Sequence, residues 1–264
     1  MSRIAAKFKK LKKEGRKALI PFITAGDPTL AVTEKLIFTL EEAGADIIEL
    51  GVPFSDPMAD GPVIQAASER ALKHKITLDD IFKLVARVRK KSEVPLLLMG
   101  YYNPLFVMGH DVFAKKASAA GVDAVLIVDL PPEEAHPLRQ ALRKNRIDLV
   151  HLLAPTSDES RIQKAAKSGS GFLYYVSLTG VTGAALTVSV EIENQIHEIR
   201  KYSSLPIAVG FGVSNSQHVQ KLAPYADGVV VGSALVKIIA KTGKNPSVYK
   251  NIGRFIQSLR KAIP

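Results

Sequence analysis

Eight short, continuously apolar segments recur along the chain, and longer amphipathic segments separate them. Continuous apolar runs of this length are typical of parallel strands buried on both faces, because such strands have no side that meets water. Proline or aspartate begins many of the intervening segments and glycine ends several, as at Asp27-Pro28 and Gly44, which is helix-boundary chemistry. The predicted strands are 19–24, 46–50, 96–100, 124–128, 149–153, 172–176, 207–210 and 228–231.

Eight strands that alternate with helices over 264 residues predict a single α/β domain covering residues 1–264, a (β/α)8 TIM barrel. The amphipathic segment 4–14 predicts an extra N-terminal helix, which we expect to close the bottom of the barrel. A doubly wound open sheet is the alternative, but no GxGxxG motif follows the first strand and no shift in composition marks a second domain. The other predicted helices are 29–43, 68–73, 78–91, 112–120, 133–145, 158–167, 190–202, 217–223, 234–240 and 248–262.

Composition excludes several function classes. The chain contains no cysteine, which excludes disulfides, thiolate metal sites and cysteine nucleophiles and fits a cytoplasmic protein. No apolar run suits a signal peptide or a membrane span, so we expect no membrane association. The net charge of +11 falls largely on apparent helix faces without a nucleic-acid recognition motif. We therefore interpret it as solvated surface that attracts anionic substrates, and we expect no nucleic-acid partner.

The segment 49–65, ELGVPFSDPMADGPVIQ, carries the strongest functional signal. Glu49 lies near the carboxyl end of the second predicted strand, and Asp56 and Asp60 lie on the loop that follows. A carboxylate in a buried strand is costly, and this cost is explained if the carboxylates act as an acid–base pair. The alternative is a capping or ion-paired glutamate followed by ordinary turn aspartates.

Glycine-containing turns follow each of the last three predicted strands, at 179–184, 210–212 and 232–233. Glycines let backbone N–H groups approach an anion closely, and Ser233 adds a hydroxyl where a short helix begins. In a barrel of this type, the loops after the last strands often bind phosphate. The turns therefore predict a phosphate site, with ordinary tight turns as the alternative.

Several catalytic classes lack their required residues. No predicted strand contains the lysine that a Schiff-base aldolase needs, and no GxSxG nucleophile motif occurs. The six histidines show neither HxH nor HxxxH spacing, so we expect no metal site, and we interpret His151 as a satisfied core histidine. Acid–base chemistry without a metal, on a phosphorylated small molecule, remains.

At this point the residues resemble those of the tryptophan synthase alpha subunit family, essentially from end to end. The resemblance rests on PFITAGDP (21–28), ELGVPFSDP (49–57), ADGP (59–62), YNP (102–104), DLP (129–131), YYVS (174–177), GVTG (180–183), GFGVS (210–214) and GSA (232–234). It implies retro-aldol cleavage of indole-3-glycerol phosphate to indole and glyceraldehyde 3-phosphate, a late step of tryptophan biosynthesis.

The resemblance also implies roles for individual residues. Glu49 is expected to move protons between indole C3 and the side-chain hydroxyl, and Asp60 to accept the indole N–H. Tyr174 is expected to position Glu49 or the substrate, although a core tyrosine fits the pattern equally well. The residues that correspond to the phosphate cradle are Gly183, Gly212, Gly232 and Ser233.

The family's indole pocket corresponds to Phe22, Ile64, Leu126, Thr182 and Phe211. For Phe22, Ile64 and Leu126 the sequence alone does not separate pocket wall from barrel core. Thr182 lies in the loop after the sixth strand, which resembles the lid of the family.

The resemblance implies a partner, the beta subunit of an α2β2 complex, to which indole is passed. The pyridoxal phosphate cofactor belongs to that partner, and we expect no cofactor in this chain. Asp56, Asn103 and Pro131 fall on loops where the partner is expected to dock, with turn chemistry as the alternative.

Two other functions remain open on the residues alone. One is a phosphosugar isomerase or epimerase of the same barrel type, which would share the glycine turns. The other is a barrel that mainly activates a partner, against which the presence of both Glu49 and Asp60 argues.

Overall fold

A computed structural model describes residues 2–176, 190–210 and 212–263. Its eight strands are all parallel and form a closed barrel in the order in which they occur along the chain. The predicted (β/α)8 barrel is therefore confirmed. The strands are β1 Ala18–Thr24, β2 Ile48–Gly51, β3 Leu96–Gly100, β4 Ala124–Ile127, β5 Asp148–Leu153, β6 Leu173–Val176, β7 Ile207–Gly210 and β8 Gly228–Val231.

Helices connect the strands and form the outer layer. Among the described residues, none of them has both the length and the apolar character that a membrane crossing requires. The helices are α1 Arg3–Lys13, α2 Leu30–Glu42, α3 Pro62–Leu72, α4 Leu78–Arg89, α5 Tyr102–Met108, α6 His110–Ala120, α7 His136–Lys144, α8 Glu159–Ser168, α9 Val190–Tyr202, α10 Ser216–Leu222, α11 Ser233–Thr242 and α12 Ser247–Arg260.

Three helices differ from the prediction by more than two residues at their start or were not predicted at all. Helix α5 was not predicted, because its seven residues are too few to show a helical period. Helix α3 begins at Pro62, six residues before the predicted start, and proline at the first helical position is the signal that marks this boundary. Helix α7 begins at His136 rather than at 133, with Pro137 in its first turn.

Side chains along each strand alternate between the barrel interior and the surrounding helices. On β1, Ala18 and Ile20 pack inside the barrel, whereas Leu19 packs in the cluster between strands and helices. The interior cluster also receives Phe8 of α1, whose ring lies 5.6 Å from that of Phe172. Helix α1 therefore closes the bottom of the barrel, as expected from its apolar face.

Aspartates just before the strands fasten the bottom of the barrel. Asp46 accepts the backbone N–H of Leu19 at 3.0 Å and also pairs with Arg260 at 2.8 Å. The same arrangement occurs twice more. Asp123 accepts the backbone N–H of Leu96 and pairs with Arg89. Asp227 accepts the backbone N–H of Ile207 and pairs with Arg200. Each carboxylate thus joins a neighbouring strand to an outer helix and satisfies a backbone donor that closure of the barrel buries.

His151 lies on β5 with its side chain toward α8 and is 4% exposed. Its Nε2 atom and the Ser168 hydroxyl are 2.9 Å apart. Burial lowers the pKa of His151 to about 4, because the charged imidazolium loses its hydration. The ring is therefore a neutral, hydrogen-bonded core histidine, in agreement with the sequence interpretation.

His151 is expected to make the fold sensitive to acid. Its folded-state pKa is about 4 and its ordinary value 6.5, so the unfolded chain binds the extra proton and stability falls as pH drops through this window. Between pH 7 and pH 4.5 the loss from this group is about 2 kcal/mol. Urea unfolding at both pH values should show a smaller loss for His151→Gln than for the unsubstituted protein. The exposed His74→Gln is the control, and equal losses in both variants would contradict the prediction.

Candidate active site

Glu49 lies on β2 and is 1% exposed. Its register neighbours are Phe22 on β1 and Leu97 on β3, so apolar residues flank it on both sides. Its Oε1 atom has no hydrogen-bond partner among the described residues. A buried carboxyl oxygen without a partner is costly, and such groups concentrate at sites that meet a ligand.

Two effects raise the pKa of Glu49 to about 8. The larger is burial, which removes water from the charged form, and the smaller is the negative charge of Asp60. At neutral pH the group therefore holds a proton that it can give up easily. This is the property that a general acid needs when it must also act as a base.

Asp60 lies on the loop between β2 and α3, partly buried. Burial raises its pKa to about 6, and a hydrogen bond from the Tyr101 hydroxyl acts in the opposite direction. The two carboxyls therefore differ in proton affinity, with Asp60 ionised at a pH where Glu49 is still protonated. Such a separation allows one group to act as an acid while the other stabilises positive charge.

A cavity opens beside Asp60, between the ends of β1 to β3 and α3. The Oγ1 atom of Thr24, a residue 2% exposed, is buried in its wall without a partner in the described part of the chain. Of the apolar residues left open by the sequence, Phe22 and Ile64 line this cavity, whereas Leu126 packs in the barrel interior. The lining consists of Phe22, Thr24, Gly51, Val52, Asp60, Ile64, Ser68, Met99, Gly100, Tyr101 and Val128.

Two glycines make room for aromatic rings at this end of the barrel. A Cβ atom at Gly51 would lie 2.5 Å from Cζ of Phe22, and one at Gly210 would lie 2.2 Å from the Tyr174 hydroxyl. Both contacts are far shorter than a packed structure tolerates, so any larger residue would displace the ring.

Tyr174 of β6 is 8% exposed and packs in the interior cluster. Burial raises the pKa of the Tyr174 hydroxyl, and the charge of Glu49 raises it further. The Tyr174 hydroxyl therefore lies within electrostatic reach of the Glu49 carboxyl. Tyr174 is thus a core residue within electrostatic reach of Glu49, and its expected role in positioning Glu49 or the substrate stays a prediction.

The glycine turn after β8 leads directly into α11. Gly232 precedes the helix and Ser233 is its exposed first residue, so the free N–H groups of the first turn lie at the carboxyl end of the barrel. Gly212, in the turn after β7, is exposed and has φ +41°. The other predicted pocket and phosphate residues, Thr182, Gly183 and Phe211, lie outside the described residues.

The three candidate partner contacts follow three consecutive strands at the same face of the barrel. Asp56 is exposed on the loop after β2, and Pro131 is half-buried on the loop after β4. Asn103 is exposed after β3, but it lies in the first turn of helix α5 and not on a loop, so the predicted loop position is wrong for this residue. Two large exposed apolar side chains lie near them, one on the loop after β2 and one in α5. Met58 is 91% exposed and Val107 of α5 is 78% exposed.

Thr24 and Tyr101 line the cavity but were not among the predicted site residues. The signal that identifies them is the two-residue alternation of strands, because Thr24 lies two positions after Phe22 and Tyr101 two positions after Met99. Within the described ranges, no group of histidine, aspartate and glutamate side chains is arranged to hold a metal ion.

Comparison with known proteins points to one family. Residues 8–263 match the sequence model of the family described as tryptophan synthase alpha chain. The tryptophan synthase alpha chain of Citrifermentans bemidjiense is 53% identical over 263 residues, covering 100% of this chain and 98% of the relative. The solved tryptophan synthase subunit alpha of Legionella pneumophila is 41% identical with a TM-score of 0.93, and the match covers 99% of this chain and 98% of that one.

A further solved structure concerns a complex. It describes mutual activation in the tryptophan synthase α2β2 complex of Pyrococcus furiosus. Its matching chain is 39% identical with a TM-score of 0.87, and the match covers 92% of this chain and 98% of that one.

The burial of Glu49 is expected to cost stability. Its folded-state pKa of about 8 exceeds the ordinary 4.5, so the folded protein binds the extra proton and stability falls as pH rises through this window. Glu49→Gln removes the titration and should raise the free energy of unfolding by about 4 kcal/mol at pH 7.5, but only by about 1 kcal/mol at pH 5. Urea unfolding at the two pH values checks this. The exposed Glu42→Gln is the control, and a gain independent of pH would contradict the titration.

Proposed function

The chain belongs to the tryptophan synthase alpha chain family and cleaves indole-3-glycerol phosphate, and we propose that Glu49 and Asp60 carry the proton chemistry of this reaction. The observation that supports these roles is a pair of carboxyls at the carboxyl end of the barrel with different pKa values, about 8 for Glu49 and about 6 for Asp60. Glu49 also keeps a buried oxygen without a partner among the described residues.

The reaction breaks the bond between indole C3 and the side chain. Indole C3 gains a proton, which places positive charge on the ring nitrogen, and the neighbouring side-chain hydroxyl loses a proton as it becomes an aldehyde. In this proposal, protonated Glu49 gives its proton to C3 and then takes the hydroxyl proton, so the group ends as it began. Asp60 accepts the indole N–H and stabilises the cation before the carbon–carbon bond breaks.

The surroundings of the carboxyls support this division of work. The Tyr174 hydroxyl lies in the electrostatic reach of Glu49 and positions it, while Phe22 and Ile64 offer an apolar wall to the indole ring beside Asp60. Leu126 packs in the interior cluster, against which Met99 of the cavity lining also packs. Thr182 and Phe211 complete the proposed pocket on the strength of the family pattern.

The phosphate of the substrate is proposed to bind at the glycine turns that follow the last strands. The first-turn N–H groups of α11, preceded by Gly232 and joined by the Ser233 hydroxyl, suit an anion because the helix dipole favours negative charge there. Gly212 and, by the family pattern, Gly183 supply further backbone donors.

We propose the tryptophan synthase beta subunit as the partner, in an α2β2 complex. Asp56 and Asn103 supply polar groups to the proposed docking face, and Pro131 together with the exposed Met58 and Val107 supplies its apolar surface. Large exposed apolar groups beside polar ones are typical of protein interfaces. Pyridoxal phosphate belongs to the beta subunit in this assignment, and the alpha chain passes indole to it.

The division of roles predicts a bell-shaped pH profile for kcat/KM of indole release. Activity should rise near pH 6, as Asp60 ionises, and fall near pH 8, as Glu49 loses its proton.

Glu49→Gln should lower kcat about 1,000-fold through the loss of proton transfer, and Asp60→Asn should lower it about 100-fold through the loss of charge stabilisation. Indole release by the purified chain, with and without a cognate beta subunit, measures both.

Glu42→Gln, an exposed carboxyl on α2, is the matched control and should keep the full rate. A rate close to that of the unsubstituted protein in Glu49→Gln would remove Glu49 from the mechanism. Turnover of a ribose phosphate without indole release would favour an isomerase of the same barrel type.

The docking face predicts a variant that separates catalysis from partner activation. Val107→Asp places a charge on the exposed apolar surface of α5, so it should weaken binding of the beta subunit about 10-fold or more while the isolated chain cleaves at its normal rate. The measurement is indole release as the beta subunit is titrated. Ala119→Asp, exposed on α6, is the control, and an unchanged titration with Val107→Asp would exclude this face.

A further inference from the structure

The backbone around Asp60 is held by side chains from two different elements. The Gln65 side chain of α3 donates to the backbone carbonyl of Asp60 at 2.8 Å. The Tyr101 hydroxyl, at the end of β3, accepts the N–H of Ala59 at 2.9 Å. Within the loop the Asp60 N–H donates to the backbone carbonyl of Pro57 at 3.0 Å, whereas the side chain of Met58, two residues before Asp60, is 91% exposed.

Tyr101 is well suited to fix this position. It follows Gly100 directly at the end of β3, is 6% exposed, and its ring stacks on that of Phe54 at 5.1 Å with an interplanar angle of 24°. The barrel and the stacked ring therefore determine where the hydroxyl lies. A hydroxyl that accepts a backbone N–H keeps its own hydrogen for another acceptor, which here is the Asp60 carboxylate.

We propose that Tyr101 is a positioning residue for Asp60, and that its hydroxyl both anchors the Ala59–Asp60 backbone and holds the Asp60 carboxylate toward the cavity. The proposal rests on the role of Asp60 given above. Tyr101 does not touch the reacting atoms in this account. It determines where the charge that stabilises the indole cation is placed, and small displacements of such a charge are costly.

The same hydrogen bond affects the proton affinity of Asp60. Burial raises the pKa of Asp60, and the bond from Tyr101 opposes this rise because it favours the ionised carboxylate. Among the described residues, Glu49 and Tyr101 are the titratable groups that interact with Asp60. Without the Tyr101 hydroxyl, the pKa of Asp60 would be higher, so Asp60 would stay protonated up to a higher pH. A protonated Asp60 cannot offset positive charge.

Tyr101→Phe tests the proposal, because it removes the hydroxyl and keeps the ring that stacks on Phe54. We expect kcat for indole release by the isolated chain to fall about 10-fold and KM to change less than about threefold. The acidic limb of the kcat/KM profile should move up by about one pH unit. Tyr102→Phe is the matched control, since this neighbouring hydroxyl bonds to His110 at 2.8 Å and not to Asp60.

A double-mutant cycle with Asp60→Asn separates positioning from a general structural effect. If Tyr101 acts through Asp60, adding Tyr101→Phe to Asp60→Asn should change kcat/KM less than about twofold. A further loss of the same size as in the unsubstituted background would overturn the proposal, as would an unmoved acidic limb. Asp60→Asn at the full rate would instead defeat the proposed function, so the two failures are distinguishable.

A second variant and a direct titration keep the test independent of any one substitution. Phe54→Leu keeps the hydroxyl but loosens the ring, and should move the acidic limb in the same direction by a smaller amount. A carbon-13 NMR titration should show a higher pKa for the Asp60 carboxyl in Tyr101→Phe, with its resonance identified by its loss in Asp60→Asn. An unchanged carboxyl pKa would overturn the proposal.

Discussion

Closure of the parallel barrel is the constraint on which the rest of this structure depends. Every strand is hydrogen bonded to two neighbours, β8 returns to β1, and aspartates such as Asp46 bond to the strand ends at the bottom. Closure satisfies the backbone of the buried strands and forces their side chains to alternate between interior and helices. It also gathers all carboxyl ends at one rim, so residues from β2, β6 and β8 meet although they are far apart in sequence.

The site at this rim contains a buried carboxyl that lowers the stability of the folded protein. Glu49 occupies an interior position that an apolar residue would fill at lower cost, and it keeps an oxygen without a partner among the described residues. The same apolar surroundings give it the proton affinity that acid–base work near neutral pH requires. Stability and reactivity are therefore opposed at this residue, and the large surrounding core offsets the cost.

Local patterns predicted much of the fold and part of the site. Continuous apolar runs identified all eight strands, because parallel strands buried on both faces have no polar side. The short helix α5 was missed, since seven residues do not show a period, and the start of α3 at Pro62 was placed too late. The position of Glu49 on a buried strand, with Asp56 and Asp60 on the next loop, marked this segment, and the family resemblance then selected Glu49 and Asp60 as the expected pair. Tyr101 was not identified, because its contact is made with Ala59, 42 residues earlier.

The sequence by itself determined the number of strands and their places along the chain, the position of Glu49 on a buried strand and the presence of Asp60 on the next loop, because these follow from local periodicity and turn chemistry. Only the tertiary structure decided what surrounds these carboxyls. Burial between β1 and β3, the charge of Asp60 and the hydroxyl of Tyr101 set their pKa values, and each comes from contacts between distant parts of the chain. Proton affinity depends on the local dielectric and on neighbouring charges, which exist only once the chain has folded.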